Sequence, residues 1–229
     1  MKSLTLFSGN GMSSSLRVLL PQFERAHACK IETLYEPAQI LLREITGGRT
    51  ADLAILGGSV MDQVVKQGHI TAASVRKLTS NGIGVGMLNG APRPDISTVE
   101  AFKRTLLNAR CVAYTTEGAS GIYFAGLIEK LGIVNEIKAK AKTRAGGLIA
   151  EFVVSGDADI AVQQIPEILA VPGVDYIGPL PAEINSISLG RAGIFARSKE
   201  PVLAQALLDF LQTPQAAEVY RARGLEPEF

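Results

Sequence analysis

Short apolar runs alternate with longer stretches of helical period along the whole chain. The runs Leu4-Thr5-Leu6-Phe7, Ile31 to Tyr35, Asp52 to Leu56, Ile83 to Leu88, Cys111 to Tyr114 and Asp159 to Val162 read as strands, Asp52 to Leu56 as a buried one. Between them, residues 13–28 place Leu16, Leu19, Leu20 and Phe23 on one helical face, with Pro21 inside as an expected kink. Further helices are predicted from Pro37 through Ile45, over 60–67, around Val99, Phe102 and Leu106, up to Leu131, over 148–154, over 201–211, and after Thr213 with Pro214 in first position. Ser59 with Asp62, and Ser97 with Glu100, read as capping boxes. Gly47, Gly68 and Gly132 read as helix stops. Strand–helix alternation of this kind predicts an α/β fold with largely parallel sheets.

The strand ends carry the candidate chemistry. Leu4–Phe7 breaks into Ser8-Gly9-Asn10-Gly11-Met12-Ser13-Ser14-Ser15 and then straight into a helix. A helix start offers unpaired N–H groups and the positive end of the macrodipole, and so attracts anions. Thr115 to Gly121 repeats the arrangement, and 143–147 is a third version leading to a helix at 148. A merely turning and capping role accounts for such loops equally well. No Gly-Lys-Ser/Thr follows the first loop, and Ser14 stands where a dinucleotide fingerprint needs its third small residue. No nucleotide or other cofactor is therefore expected.

Composition narrows the partners. The 229 residues are 47% apolar, with 23 basic and 22 acidic side chains and a net charge of +1, enough for one large or two small domains. Without a basic block, no nucleic-acid partner is expected. Without an apolar run of about 20 residues, membrane insertion is not expected. The opening residues read as a strand rather than a signal peptide. The expectation is thus a cytoplasmic protein as the sequence stands, or a periplasmic one if a signal was removed. Cys29 and Cys111 read as reduced, and His27 and His69 lack ligand spacing, so no metal is expected.

Five stretches in this order resemble the type II periplasmic binding proteins, and among them the molybdate-binding family: 7–12, 51–55, 119–123, 156–160 and the Phe210-Leu211-Gln212-Thr213-Pro214-Gln215-Ala216 tail. The resemblance spans nearly the whole chain. It implies two lobes, each a mixed, mostly parallel sheet flanked by helices, with an anion held in the cleft between them. Lobe I would comprise 1–82 and 196–229 and lobe II 83–195, with hinge strands near 82–86 and 188–195. The resemblance also implies an ABC transporter permease as a partner if the protein is exported.

The ligand positions differ from that family. Its two serines fall on Gly11 and Ala38, and its tyrosine on Gln164. The expected ligand is therefore a small anion, an organic carboxylate rather than molybdate, although backbone amides could still hold molybdate or tungstate. The expected binding residues are Ser8, Asn10, Gly11, Met12, Ser13, Tyr35, Glu36, Gly57, Gly58, Ala119, Ser120, Arg144, Gly146 and Gln164. Arg144 would fork onto a carboxylate, or else be a solvated cation within the charged stretch 138–144. An enzyme on the same scaffold, similar to aconitate isomerase, is the alternative. It would use Glu36 or Glu117 as a base, residues otherwise read as a helix-start charge and an exposed loop position.

Overall fold

The computed structural model describes residues 2–229. Its strands are β1 (Lys2–Gly9), β2 (Cys29–Glu36), β3 (Leu53–Gly57), β4 (Arg76–Asn81), β5 (Ile83–Leu88), β6 (Val112–Thr115), β7 (Ala141–Arg144), β8 (Ile160–Gln164), β9 (Val174–Pro179), β10 (Ser188–Ile194) and β11 (Glu226–Pro227). They divide between two compact units. One holds the chain up to Ser80 together with Ser188–Phe229, and the other holds Asn81–Ile187.

The first unit has a six-stranded sheet in the order β11-β4-β10-β3-β1-β2. Strand alternation sorts its apolar residues onto two covered faces. Leu4, Leu6, Leu53 and Ile55 pack against helices Ser13–His27, Pro201–Phe210 and Pro214–Arg221. Phe7, Ala54 and Leu56 pack against helices Ala38–Thr46 and Gly58–Lys66. Burial on both faces is why β1 and β3 read as apolar runs. The helix Ser13–His27 continues through the exposed Pro21 and ends on Ala28 in the left-handed conformation (φ 48°). Asp52 ties the sheet to the loop before helix Pro201–Phe210: its carboxylate accepts from Thr5 N at 2.8 Å, Ser198 Oγ at 2.7 Å, Lys199 N at 2.9 Å and Glu200 N at 3.1 Å. Burial by itself would raise this carboxyl, but the four hydrogen bonds win and hold it below the ordinary carboxylate value.

The second unit has a five-stranded sheet, β7-β6-β8-β5-β9. Ile83 and Val85 of β5 join a cluster with Phe102, Leu106, Phe124 and Ile128 from helices Val99–Asn108 and Ala119–Lys130. The glycines between them turn to the other face, where space is short. A Cβ on Gly84 would lie 2.6 Å from the Tyr176 ring, and one on Gly86 2.9 Å from Ile168. Glycine in this strand therefore serves close packing.

Both sheets are mixed. Pairing is parallel across β2-β1-β3 and β7-β6-β8, and antiparallel where β10 meets β3 and where β5 meets β8 and β9. Several sequence expectations change. β10, assigned to the second lobe, belongs to the first unit, because Gly190 to Ile194 pair with Gly57 to Leu53. β4 was not read from the sequence at all: Arg76 and Lys77 are exposed, and of its buried residues Leu78, Thr79 and Ser80 only Leu78 is apolar. Helix Gly58–Lys66 has no side-chain cap, and Asp62 instead pairs with Arg191 at 2.7 Å. Thr98, not Ser97, caps the next helix, since Ser97 is held by Asp95. The helix expected over 148–154 is only Glu151–Val154.

Candidate functional site

Parallel pairing gathers the site loops of each unit along one sheet edge. In the first unit, Ser8 and Gly9 lie directly beside Tyr35 and Glu36, and Ser8 pairs on its other side with Ile55, two residues before Gly57. The edge thus brings together Ser8, Tyr35, Glu36, Gly57 and Gly58. Asn10, Gly11 and Met12 form a single 3-10 turn that runs into helix Ser13–His27. Neither that turn nor helix Gly58–Lys66 has a side-chain cap. A Cβ placed on Gly9 or on Gly57 meets no atom within 4 Å. The edge is therefore open at two helix starts whose first-turn amides are free of side-chain caps.

Individual residues differ in what they offer. Ser8 is fully buried, and its hydroxyl donates to Gly9 O at 3.1 Å. Met12 is buried, with Thr79 Oγ1 against its sulfur at 3.5 Å. The ring of Tyr35 packs on the core beside helix Ser13–His27, and burial pushes its hydroxyl pKa up against a hydrogen bond with the Thr33 side chain. Ser14 and Ser15 carry enclosed hydroxyls without a hydrogen-bond partner.

Arg191 was missed in the sequence reading. It is Cα-paired with Leu56 on β3, and directly opposed residues share a face. Its guanidinium lies 3.7 Å from where a Cβ of Gly58 would stand, next to the start of helix Gly58–Lys66. The sequence signal was a single charge inside an otherwise apolar strand, Ser188-Leu-Gly-Arg-Ala-Gly-Ile194.

In the second unit, β6 pairs with β7 and β8, bringing 115–121, 144–147 and Gln163-Gln164 to one edge. Here the loops are braced. Thr116 N donates to Arg144 O at 2.9 Å and Glu117 N to Ala145 O at 3.0 Å. Gln163, almost fully buried, accepts from Ile149 N at 2.9 Å and donates to Gly147 O at 2.7 Å. A Cβ on Gly118 would sit 2.6 Å from Thr115 Oγ1, and one on Gly121 only 1.7 Å from Thr115 O. Ala119 and Ser120 begin helix Ala119–Lys130, and Ser120 is buried. Gly146 lies in the bend after β7, and Gln164 stands at the N-cap position of the short helix Ile165–Leu169 without a side-chain capping bond.

Arg144 is not a solvated cation: its Nη2 is engaged within its own loop, while its Nε is enclosed without a hydrogen-bond partner. It ends β7, donates to Leu148 O and to Glu151 Oε2 (2.9 Å), and lies over the Phe152 ring at 5.2 Å. This makes it a fastener of the 144–151 loop. Glu167, which the sequence reading did not consider, is buried at the same edge, where burial pushes its carboxyl up to about 8 against hydrogen bonds from Gln164 N–H and the Gln163 side chain. Glu36 and Glu117 stand in different units. Among the described residues no cluster of His, Cys, Asp and Glu could hold a metal, and no helix is long and apolar enough to cross a membrane.

Known proteins share this architecture. The chain is 30% identical to aconitate isomerase of a Pseudomonas species over 98% of its length and 88% of the relative's. It is 23% identical to the molybdate-binding protein ModA of Escherichia coli K12 over 96% of its length and 88% of the relative's. The periplasmic molybdate-binding protein of Azotobacter vinelandii superposes with a TM-score of 0.80 at 15% identity, covering 97% of this chain and 98% of that one. Residues 4–226 match the model of the bacterial extracellular solute-binding proteins, and the chain belongs to that family.

Proposed function

We propose that the protein binds a small organic polycarboxylate at its strand-end loops, as a solute-binding protein. The observation that carries this reading is the open first-unit edge: Gly9 and Gly57 face no neighbouring atoms, and each leads into a helix start without a side-chain cap. Uncapped amides at a positive dipole end suit an anion. Gly11, Ala38 and Gln164 provide neither hydroxyl nor phenol at the positions where the molybdate binders carry serines and a tyrosine. That favours a polycarboxylate, a longer molecule than a tetrahedral oxyanion, whose planar carboxylates take paired donors. In this reading an exported form would deliver its ligand to an ABC transporter permease.

The 30% identity to aconitate isomerase favours a second reading, in which the bound ligand also turns over. A base would remove a proton from the carbon next to a carboxylate, the C=C bond would shift by one position, and the proton would return at the far allylic carbon. Glu36, beside Gly9 on the open edge, is our candidate base, with Glu117 the second-unit alternative.

Calorimetric titration with cis-aconitate, trans-aconitate, tricarballylate, sulfate and molybdate tests the first reading: heat with a tricarboxylate supports it, and heat with molybdate alone overturns it. Proton NMR of cis- and trans-aconitate with the protein in D2O tests the second. Deuterium incorporation or interconversion supports turnover, and unchanged spectra leave a binder only.

A further inference from the structure

We propose that Arg191 is the residue that reads a ligand carboxylate in the first unit, an inference that rests on the polycarboxylate reading above. Three observations converge on it. First, Arg191 projects from β10 onto the face that carries helix Gly58–Lys66, with its guanidinium against Gly58 at the very start of that helix. A cation at the positive end of a helix is electrostatically misplaced. The acid that faces it is Asp62, which accepts from Nη1 at 2.7 Å and has a side chain 68% exposed against 25% for Arg191. So exposed a carboxylate offsets little of that repulsion. An arriving anion would be attracted by both the guanidinium and the helix amides.

Second, Nε of Arg191 is enclosed without a hydrogen-bond partner. An unmet buried donor is costly and leaves the guanidinium with bonding capacity to spare; Arg144 Nε shares this feature, so the two arginines differ in their other contacts. Third, the arginine that the sequence put forward is engaged elsewhere. Arg144 is held by the Leu148 carbonyl, the Glu151 carboxylate and the Phe152 ring. Arg191 has one ion pair, to an exposed partner, and stands beside the open Gly57. Its planar fork would favour a carboxylate because two parallel N–H donors match two carboxylate oxygens, which a point-charge ammonium cannot reproduce.

The test is calorimetric titration of tricarballylate into the wild type, Arg191→Gln, Arg191→Lys and Arg144→Gln, with thermal unfolding of each unliganded protein as the check on folding. The expected result is a loss of affinity on the order of 10- to 100-fold in Arg191→Gln, with Arg191→Lys recovering only part of it. If Arg191→Gln fails to fold, Arg191→Lys decides, because it keeps charge and stem while removing the fork. Wild-type affinity in whichever Arg191 variant decides, or a loss that appears in Arg144→Gln instead, overturns the assignment while leaving the polycarboxylate reading intact. A wild type that binds no carboxylate at all overturns that reading, and this inference with it.

Discussion

The two units use the same local device, a strand running through a glycine-rich loop into a helix, for opposite ends. In the first unit, glycine leaves room: Cβ atoms on Gly9 and Gly57 would meet nothing within 4 Å. The helix starts at the loops of both units lack a side-chain cap, so the room at glycine is the difference. In the second unit, glycine allows contact: Gly118 and Gly121 exist because Thr115 occupies the space a Cβ would need. The second set of loops is further braced by the buried Gln163 amide and the bonded Arg144. Glycine content by itself does not separate an accessible site from a packed turn; what surrounds the missing Cβ does.

The largest expected effect breaks the packed side. Gly121→Ala would drive a Cβ to 1.7 Å from the Thr115 carbonyl, a backbone atom that cannot yield. It should cost more than about 4 kcal/mol or prevent folding, as read by denaturant unfolding. Gly126 of the same helix has open space at its Cβ position. Gly126→Ala should instead stabilise by roughly 0.5–1 kcal/mol, and equal effects at the two positions would dissolve the distinction.

A similar loss is expected at the brace of the first unit. Asp52→Ala leaves the N–H groups of Thr5 and Lys199 without their acceptor, with Glu200 N–H keeping only Ser198 Oγ, and should destabilise by about 2–4 kcal/mol in the same measurement. Because the folded carboxyl lies below its ordinary value, its stabilisation is full above the unfolded pKa and fades as pH falls through the folded one. The wild type should therefore lose the difference from Asp52→Ala in acid. On the second-unit edge, Gln163→Ala removes a bridge between Gly147 O and Ile149 N, for an expected loss of about 1–3 kcal/mol.

Glu167 sharpens the comparison through pH. Its folded carboxyl is raised from 4.5 to about 8, so between those values the native state keeps a proton that the unfolded chain has released. Stability should fall as pH rises through that window. Thermal unfolding from pH 5 to 8 should show the decline in the wild type and a flatter profile in Glu167→Gln. Parallel profiles would place the carboxyl in water.

Much of this was legible in the sequence. Apolar runs located β1, β3, β5, β6 and β8 because both faces of the sheets are covered there, the edge strand β2 showed by its alternation with only Cys29 buried, and Gly68 and Gly132 mark helix ends by their positive φ. The loops Ser8–Ser13 and 115–121 were recognisable by composition. Their surroundings were not, because the neighbours of a missing Cβ come from distant residues. The same holds for the arginines. Arg144 sits in a loop of suggestive composition yet is bonded within it, whereas Arg191 reaches the edge only because β10 returns to pair with β3. β4, with its exposed basic start, gave no periodic signal.

The account stands most directly on the open edge of the first unit, and Gly57→Thr tests it. The backbone there is extended (φ −61°, ψ 149°), the Cβ position is free, and threonine caps helices about as well as glycine. The variant should therefore unfold within about 0.5 kcal/mol of the wild type. Its methyl and hydroxyl would fill the space assigned to the ligand and engage the amides meant for it. In calorimetric titration with tricarballylate, the account predicts a folded protein with no binding heat. Binding at wild-type affinity would contradict it.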